Sequence, residues 1–209
     1  MKLKELRSVE PRDSLGMLGS KDAKLKKLEG NINPLPNSNY YYAIVPSMSY
    51  GAKGNEKDVC LLSPDKQLIG ILTVQIAGDT AYVVGLEIDK AWRNKGLATS
   101  LYGILLSIEH FDIVSDSRQT PGGARTWVSL SKIPGVEVRG LVYNPTPEQI
   151  EMLGASKFGG IFTTSYTFPV TLENNQLVPA ASAETDLYSS TIRNGYKLIA
   201  LYNTKGNNI

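Results

Sequence analysis

Apolar and polar positions along this chain fall into short blocks separated by glycine, proline and Asx residues. Tyr40–Val45 (YYYAIV) is aromatic and β-branched, the composition of a strand. Ser47–Asp58 is polar and glycine-bearing and reads as a loop. Leu68–Ile76 (LIGILTVQI) is a second strand, left through Gly78-Asp79, and Ala81–Ile88 (AYVVGLEI) is a third. So short a junction predicts an antiparallel hairpin. At Leu97 the period changes: Leu97, Leu101, Ile104, Leu105 and Ile108 recur at helical spacing and predict an amphipathic helix of about three turns. Phe111–Ser115 (FDIVS) is a short strand, and strand, helix, strand with a crossover implies a parallel pair. Pro121-Gly122-Gly123 opens a helix over Ala124–Ser131, bounded by Pro134-Gly135, and Val136–Tyr143 is a further strand.

The two ends are less regular. Residues 1–39 read as an arm whose short helical patterns are broken by Gly16, Gly19, Gly30, Pro34 and Pro36. Thr146–Leu153 has Thr146 at the N-cap position, Pro147 at the first helical position and acids in the first turn. Phe158–Pro169 and Asn175–Ala183 have no firm period. Thr191–Arg193, Asn194-Gly195 and Tyr196–Tyr202 read as a hairpin, because Asn-Gly suits a type I′ turn. The expected organisation is an N-terminal arm (1–39), a core (40–144) and a C-terminal extension that completes or decorates the sheet (145–209). A hairpin, a βαβ unit and further strands place the core in the α/β or α+β class around one mixed sheet.

Composition narrows the function classes. The chain has 209 residues, 42% hydrophobic and 20% charged, which is ordinary for a globular protein. A formal charge of +2 supplies no basic face, so nucleic acid is not an expected partner. Lys21–Lys27 (KDAKLKK) is locally basic and reads as a solvated helix face. Cys60 is the single cysteine and His110 the single histidine, far apart in sequence, so neither a Cys/His nucleophile pair nor a structural zinc site is expected. No apolar run approaches the ~18 residues that cross a bilayer, and the N-terminus lacks a signal-peptide core. A soluble, cytoplasmic protein is expected, with no membrane partner and with a homodimer admitted.

Chemistry concentrates in the turn between the third strand and the long helix, Arg93-Asn94-Lys95-Gly96-Leu97-Ala98. A helix start offers unpaired N–H groups and a partial positive charge, so an anion docks there readily. Gly96 lets backbone approach a ligand and adopts positive φ; small Ala98 leaves that approach open. Arg93 and Lys95 add charge for phosphate oxygens, and Thr99 and Ser100 add hydroxyls. A turn of this kind also occurs at helix starts for packing or solubility alone.

The stretch Leu86-Glu87-Ile88-Asp89-Lys90-Ala91-Trp92-Arg93-Asn94-Lys95-Gly96-Leu97-Ala98 resembles the signature segment of the GNAT superfamily of N-acetyltransferases. That motif runs from an apolar strand into Gln/Arg-x-x-Gly-x-Gly/Ala and a helix; Arg93, Gly96 and Ala98 fill its three defining positions. Ile69-Gly70-Ile71-Leu72 is similar to the family's third strand, and Ile113–Leu130 has a fainter similarity to phage-encoded members. The resemblance spans Tyr40 to Tyr143. It implies a mixed, mostly antiparallel sheet with a central splayed parallel strand pair, flanked by helices. It also implies acetyl-CoA as co-substrate, with no metal. The pyrophosphate would lie on the amides of Arg93, Asn94, Lys95, Gly96, Leu97, Ala98 and Thr99, and the pantetheine arm beside Leu86–Ile88, including Leu86 and Ile88.

The reaction so implied is acetyl transfer to a primary amine of a small molecule or protein by direct attack in a ternary complex. Such transfer needs a neutral nucleophile, an oxyanion donor and an acid for the departing thiolate. Glu87 and Asp116 are the candidate bases; Glu87 also reads as an outward-facing solubilising residue and Asp116 as a loop or capping Asp. The family's acid is often a tyrosine on the helix after the Phe111–Ser115 strand, where this chain has Trp127. An indole N–H does not give up a proton near neutral pH. Tyr102, Ser115 or Ser117 would then serve, or thiolate would leave to water, or the chain would be a catalytically degenerate interaction or structural module with Trp127 as core. Tyr40, Tyr41 and Tyr42 could line an acceptor groove, with Tyr41 facing the opposite side from its neighbours.

Overall fold

The computed structural model describes residues 21–49, 52, 54–116, 121–157, 165–173, 176–180 and 197–202. The chain divides into two compact units, Met1–Ile76 with Ala81–Ile104, and Ala77–Thr80 with Leu105–Ile209. It is mixed α/β, with mostly antiparallel strands and accompanying helices.

The first unit holds α1 (Lys21–Leu28), β1 (Asn33–Pro34), β2 (Tyr41–Pro46), β3 (Glu56–Leu62), α2 (Leu97–Gly103) and, but for Ala77 and Thr80, β4 (Leu68–Ala77) and β5 (Thr80–Ile88). Its strands lie in the order β1-β2-β3-β4-β5. Tyr41 pairs with Leu62 and Pro46 with Lys57; Glu56 pairs with Gln75 and Leu62 with Leu68, after a register shift at Leu61/Leu62. β4 and β5 form the expected hairpin through Gly78-Asp79, with Asp89 N donating to Ile69 O at 2.9 Å beyond its open end.

An eight-residue helix such as α1 has little stability of its own. Leu28, fully buried, fixes it against Ala43, Val45, Cys60, Leu62, Leu68 and Ile71, with Leu25 and Tyr41 packed alongside. Burial of one such leucine contributes about 1.5–3 kcal/mol. Gly70 belongs to the other face, since neighbours in a strand alternate. A Cβ there would lie 2.7 Å from Ile88 Cδ1 and 3.3 Å from Leu101 Cδ1. The missing side chain is what lets Leu101 of α2 and Ile88 of β5 settle onto β4.

β3 corrects the expectation of a loop running to Asp58. Glu56, Lys57 and Asp58 open the strand, and their charges hid it from a hydrophobic pattern. Asp58 is nonetheless buried because its carboxylate is satisfied: Oδ1 accepts from Thr73 Oγ1 at 2.7 Å and Oδ2 from Met48 N at 2.8 Å.

The second unit holds β6 (Asp112–Val114), α3 (Pro121–Leu130), β7 (Val136–Tyr143), α4 (Pro147–Leu153), β8 (Ser156–Lys157), β9 (Ser165–Glu173), β10 (Gln176–Pro179) and β11 (Lys197–Tyr202). Its strands run β6-β11-β7-β9-β10, antiparallel at each step, and β8 pairs with β9. The predicted Tyr196–Tyr202 strand is present as β11, paired with β7 over its whole length and with Val114 and Ile113 of β6. The first arm of the expected hairpin and its Asn194-Gly195 turn lie outside the described residues. β9 and β10 formed without a clear sequence period, as did the short β8.

Candidate functional site

Arg93–Gly96 lies between β5 and α2, and Leu97 and Ala98 open that helix, as the pattern predicted. β5 ends at Ile88, and Asp89 then organises a short 3₁₀ turn, Lys90–Trp92. Asp89 Oδ1 accepts from Ala91 N at 2.9 Å and Asp89 O accepts from Trp92 N at 2.8 Å. The chain leaves this turn with Asn94 and Gly96 both in the left-handed region, at φ 61° and 75°. Gly96 is the N-cap of α2 and no side chain among the described residues caps it; Ser100 N donates to Gly96 O at 3.2 Å to close the first turn. The amides of Leu97, Ala98 and Thr99 therefore open the helix without a side-chain acceptor, the arrangement in which a helix start attracts an anion.

Arg93, Asn94, Lys95 and Gly96 are exposed, Ala98 and Thr99 half-buried, and Leu97 is buried and anchors the helix start. Arg93 Nε donates to Ile88 O at 3.0 Å, which leaves the rest of its guanidinium fork at the turn. Lys95 Nζ lies 4.5 Å from the centre of the Trp92 ring, a cation–π contact. Tyr40 meets the same ring edge-on, with centroids 6.1 Å apart. Of the three adjacent tyrosines, then, Tyr40 reaches the turn while Tyr41 packs on the apolar cluster.

Leu86, Glu87 and Ile88 are half-buried at the end of β5. Ile88 turns its side chain toward Gly70 and its carbonyl toward Arg93, so the strand end and the turn are one hydrogen-bonded piece. Glu87 belongs to the same strand end. Asp116, in the second unit, follows β6. Ser115 beside it is buried, its Oγ donates to Asp116 O at 2.9 Å and accepts from Leu198 N at 2.9 Å, and its own amide donates to Leu198 O at 2.8 Å. A hydroxyl engaged at both ends is a poor proton donor to a thiolate. Burial lowers the pKa of Lys197 on β11, opposed by the nearby charge of Asp116. Trp127 is 2% exposed, which agrees with a core role, and Tyr102 is buried. Ser117 lies outside the described residues.

Cys60 is buried in β3, and burial, reinforced by Asp58, pushes its thiol far above the usual range. A thiol so placed is not a nucleophile. Among the described residues no group of three His, Cys, Asp or Glu side chains could hold a metal, and no helix is long and apolar enough to cross a membrane.

Two contributors to the turn escaped the sequence reading. Asp89 could have been found, since an Asp two residues before an N–H that needs an acceptor is the usual start of such a turn. Lys21, which forms an ion pair with Asp89, could not: 68 positions separate them.

No protein-family model matches the chain, and no curated protein does. Several solved structures are similar to it at a low level. One is the ribosomal-protein-S18-alanine N-acetyltransferase from Escherichia coli, 12% identical, with 93% of this chain and 96% of that chain covered at a TM-score of 0.36. A second is a putative acetyltransferase from the GNAT family from Bacteroides thetaiotaomicron, 20% identical, covering 66% and 69% at 0.32. A third is the IAA acetyltransferase from Bacillus cereus ATCC 14579, 8% identical, covering 70% and 77% at 0.33. Each is named an acetyltransferase; identities and TM-scores of this size are too low to carry an activity across.

Proposed function

We propose that this chain is an acetyl-CoA-dependent N-acyltransferase that transfers an acetyl group to a primary amine of a small molecule or protein. The observation that supports this most is the start of α2: Gly96 at φ 75° with no side-chain cap among the described residues, preceded by exposed Arg93 and Lys95. The residues Arg93, Asn94, Lys95, Gly96, Leu97, Ala98 and Thr99 would hold the diphosphate. Leu86 and Ile88 would flank the pantetheine arm. Bound there, acetyl-CoA supplies an activated thioester. The chain's own part is to hold the phosphates with amides and a cationic fork, which concentrates charge recognition at atoms that need no reorganisation.

Transfer would be direct, since the one cysteine is buried and disfavoured as a thiolate. The candidate bases are Glu87, half-buried on β5, and Asp116, beside Lys197 in the second unit. Glu87→Gln and Asp116→Asn, assayed separately, assign the role: loss of kcat with an unchanged acetyl-CoA KM marks the base.

Calorimetry with acetyl-CoA tests the reading. Binding is expected for the wild type, and Arg93→Ala should weaken it about tenfold to a hundredfold, the worth of hydrogen bonds to a charged group. The double variant Arg93→Ala, Gly96→Glu should abolish binding with the fold intact. No heat from the wild type at millimolar acetyl-CoA overturns the assignment.

The burial of Trp127 favours a second reading, a module that binds the nucleotide without turnover. Acetylation of any amine in a broad panel eliminates it; binding without product, together with capture of a stable protein partner, supports it.

A further inference from the structure

An anion site built on exposed backbone has a problem in this chain. Asp89 stands at the head of the same turn, and a carboxylate there works against a diphosphate both by repulsion and by competing for Arg93. Asp89 is also indispensable to the turn's shape, since its amide, carbonyl and Oδ1 are bonded to Ile69 O, Trp92 N and Ala91 N. Its remaining oxygen, Oδ2, is bound by Lys21 of α1.

We propose that Lys21 is a positioning residue for the diphosphate site: by neutralising Asp89 it frees the Arg93 guanidinium to serve the ligand. The proposal rests on the acetyl-CoA reading above. Its physical basis is local. Lys21 is the first cause of the lowered Asp89 pKa, the Ala91 amide comes next, and the charge of Arg93 also acts on the same carboxyl. Asp89 is thus paired with Lys21, while Arg93 acts on it through space, with its Nε bonded to Ile88 O, and keeps the rest of its guanidinium for solvent or ligand. Lys21 is held in place from below, because Leu28 at the far end of α1 is fully buried against β2, β3 and β4. The basic stretch of α1 is therefore more than a solvated face at its first residue. Tyr40, stacked edge-on against Trp92, is a second tie from the N-terminal segment to the same turn.

The Lys21 side chain is 41% exposed and that of Asp89 23%, so solvent screens the pair and the effect on binding is modest. One charge at a helix start changes affinity about twofold to fivefold. The test is a charge cycle read by calorimetry with acetyl-CoA at low salt, on wild type, Lys21→Met, Lys21→Arg, Asp89→Asn and the double variant Lys21→Met, Asp89→Asn. Lys21→Met should bind about twofold to fivefold more weakly. Lys21→Arg should match the wild type, and Asp89→Asn, whose side-chain oxygen still accepts from Ala91, should bind no more weakly. The double variant should recover the affinity lost by Lys21→Met, because the uncompensated charge is gone. The loss should also shrink near 0.5 M salt, where screening acts over only about 4 Å. Unchanged binding by Lys21→Met, or a double variant as weak as Lys21→Met, overturns the proposal while leaving the co-substrate reading in place. A wild type that binds no acetyl-CoA overturns both. Thermal unfolding of the four variants separates a folding defect from the charge effect: all should melt cooperatively, and a recovered affinity in the double variant cannot come from lost structure.

Discussion

Single residues at close contacts in this molecule show what a side chain costs where backbone must be reached. Gly140 on β7 is paired with Phe168 on β9, and a Cβ at 140 would overlap the Phe168 ring, which is itself fully buried. The ring covers the bare backbone of the glycine, so neither partner can be changed alone. Gly140→Ala should destabilise the fold by about 1–3 kcal/mol through overpacking, read as a lower urea midpoint with an unchanged m-value. Gly96 differs in kind: nothing lies within 4 Å of its missing Cβ, and its requirement is the positive φ alone. Gly96→Asn should therefore be tolerated better than Gly96→Ala, whose strain is about 1–2 kcal/mol. Asp112 illustrates a third situation. Desolvation, then the charge of Asp79, raises its pKa from the ordinary carboxylate value. A carboxyl with a raised folded-state pKa favours folding in its protonated form, an advantage present below its unfolded pKa and lost as pH rises through the folded value. Asp112→Asn should thus stabilise the protein at neutral pH and make no difference in acid, where both states are protonated. Equal melting temperatures for variant and wild type at pH 7 would contradict this assignment.

Elements with strong local signals were legible from sequence, and those held by tertiary contact were not. α4 is the clearest success. Thr146 accepts from Gln149 N at 3.2 Å while Gln149 Oε1 accepts from Thr146 N at 2.9 Å, a complete capping box, with Pro147 following and Gly154 closing the helix at φ 56°. Thr146→Ala should cost about 1 kcal/mol in urea unfolding, and Thr146→Ser should restore most of it; an alanine variant as stable as wild type would mean that packing alone holds α4. β3 was missed for the opposite reason. Its first three residues are charged, and the two hydrogen bonds that Asp58 accepts are part of what makes them compatible with a buried strand. β9 and β10 likewise lacked a period, because β9 passes from buried Ser165, Thr167 and Phe168 to exposed Thr171, Leu172 and Glu173. The helix expected over Leu97–Ile108 exists, but from Ile104 to Ile108 it is wound as a π turn. Hydrophobic spacing cannot distinguish 3.6 residues per turn from this local widening. In the candidate site the helix start and its cations were readable in the Arg93–Ala98 motif, whereas the ties that shape the turn were not, since Lys21 and Tyr40 approach it only through the fold.

At the scale of the whole molecule, the last described strand takes one of the two roles expected of a C-terminal extension, completing a sheet or decorating it. A C-terminal segment that merely decorated a finished sheet would lie at an edge. β11 instead lies between β6 and β7, joined to β7 from Lys197 to Tyr202 and to β6 at Ile199 and Ala200, and its Leu198, Ile199 and Ala200 are buried. The second unit therefore cannot complete its sheet until Lys197–Tyr202 has been made. Its closing contacts span from β6 to β11, the long sequence separation that slows folding. Removing this strand leaves the backbone groups of β6 and β7 that face it without partners, which is costly wherever they stay buried. A chain cut before Lys197 should lose amide protection over Val136–Tyr143 in hydrogen exchange and bind a hydrophobic dye, as an incomplete sheet does. Ile199→Asp, which keeps chain length and places an unpaired carboxylate at a fully buried position, should do the same. Protection of Val136–Tyr143 that survives both changes would show that β7 and β9 form a self-sufficient sheet, and that β11 is added to it rather than required by it.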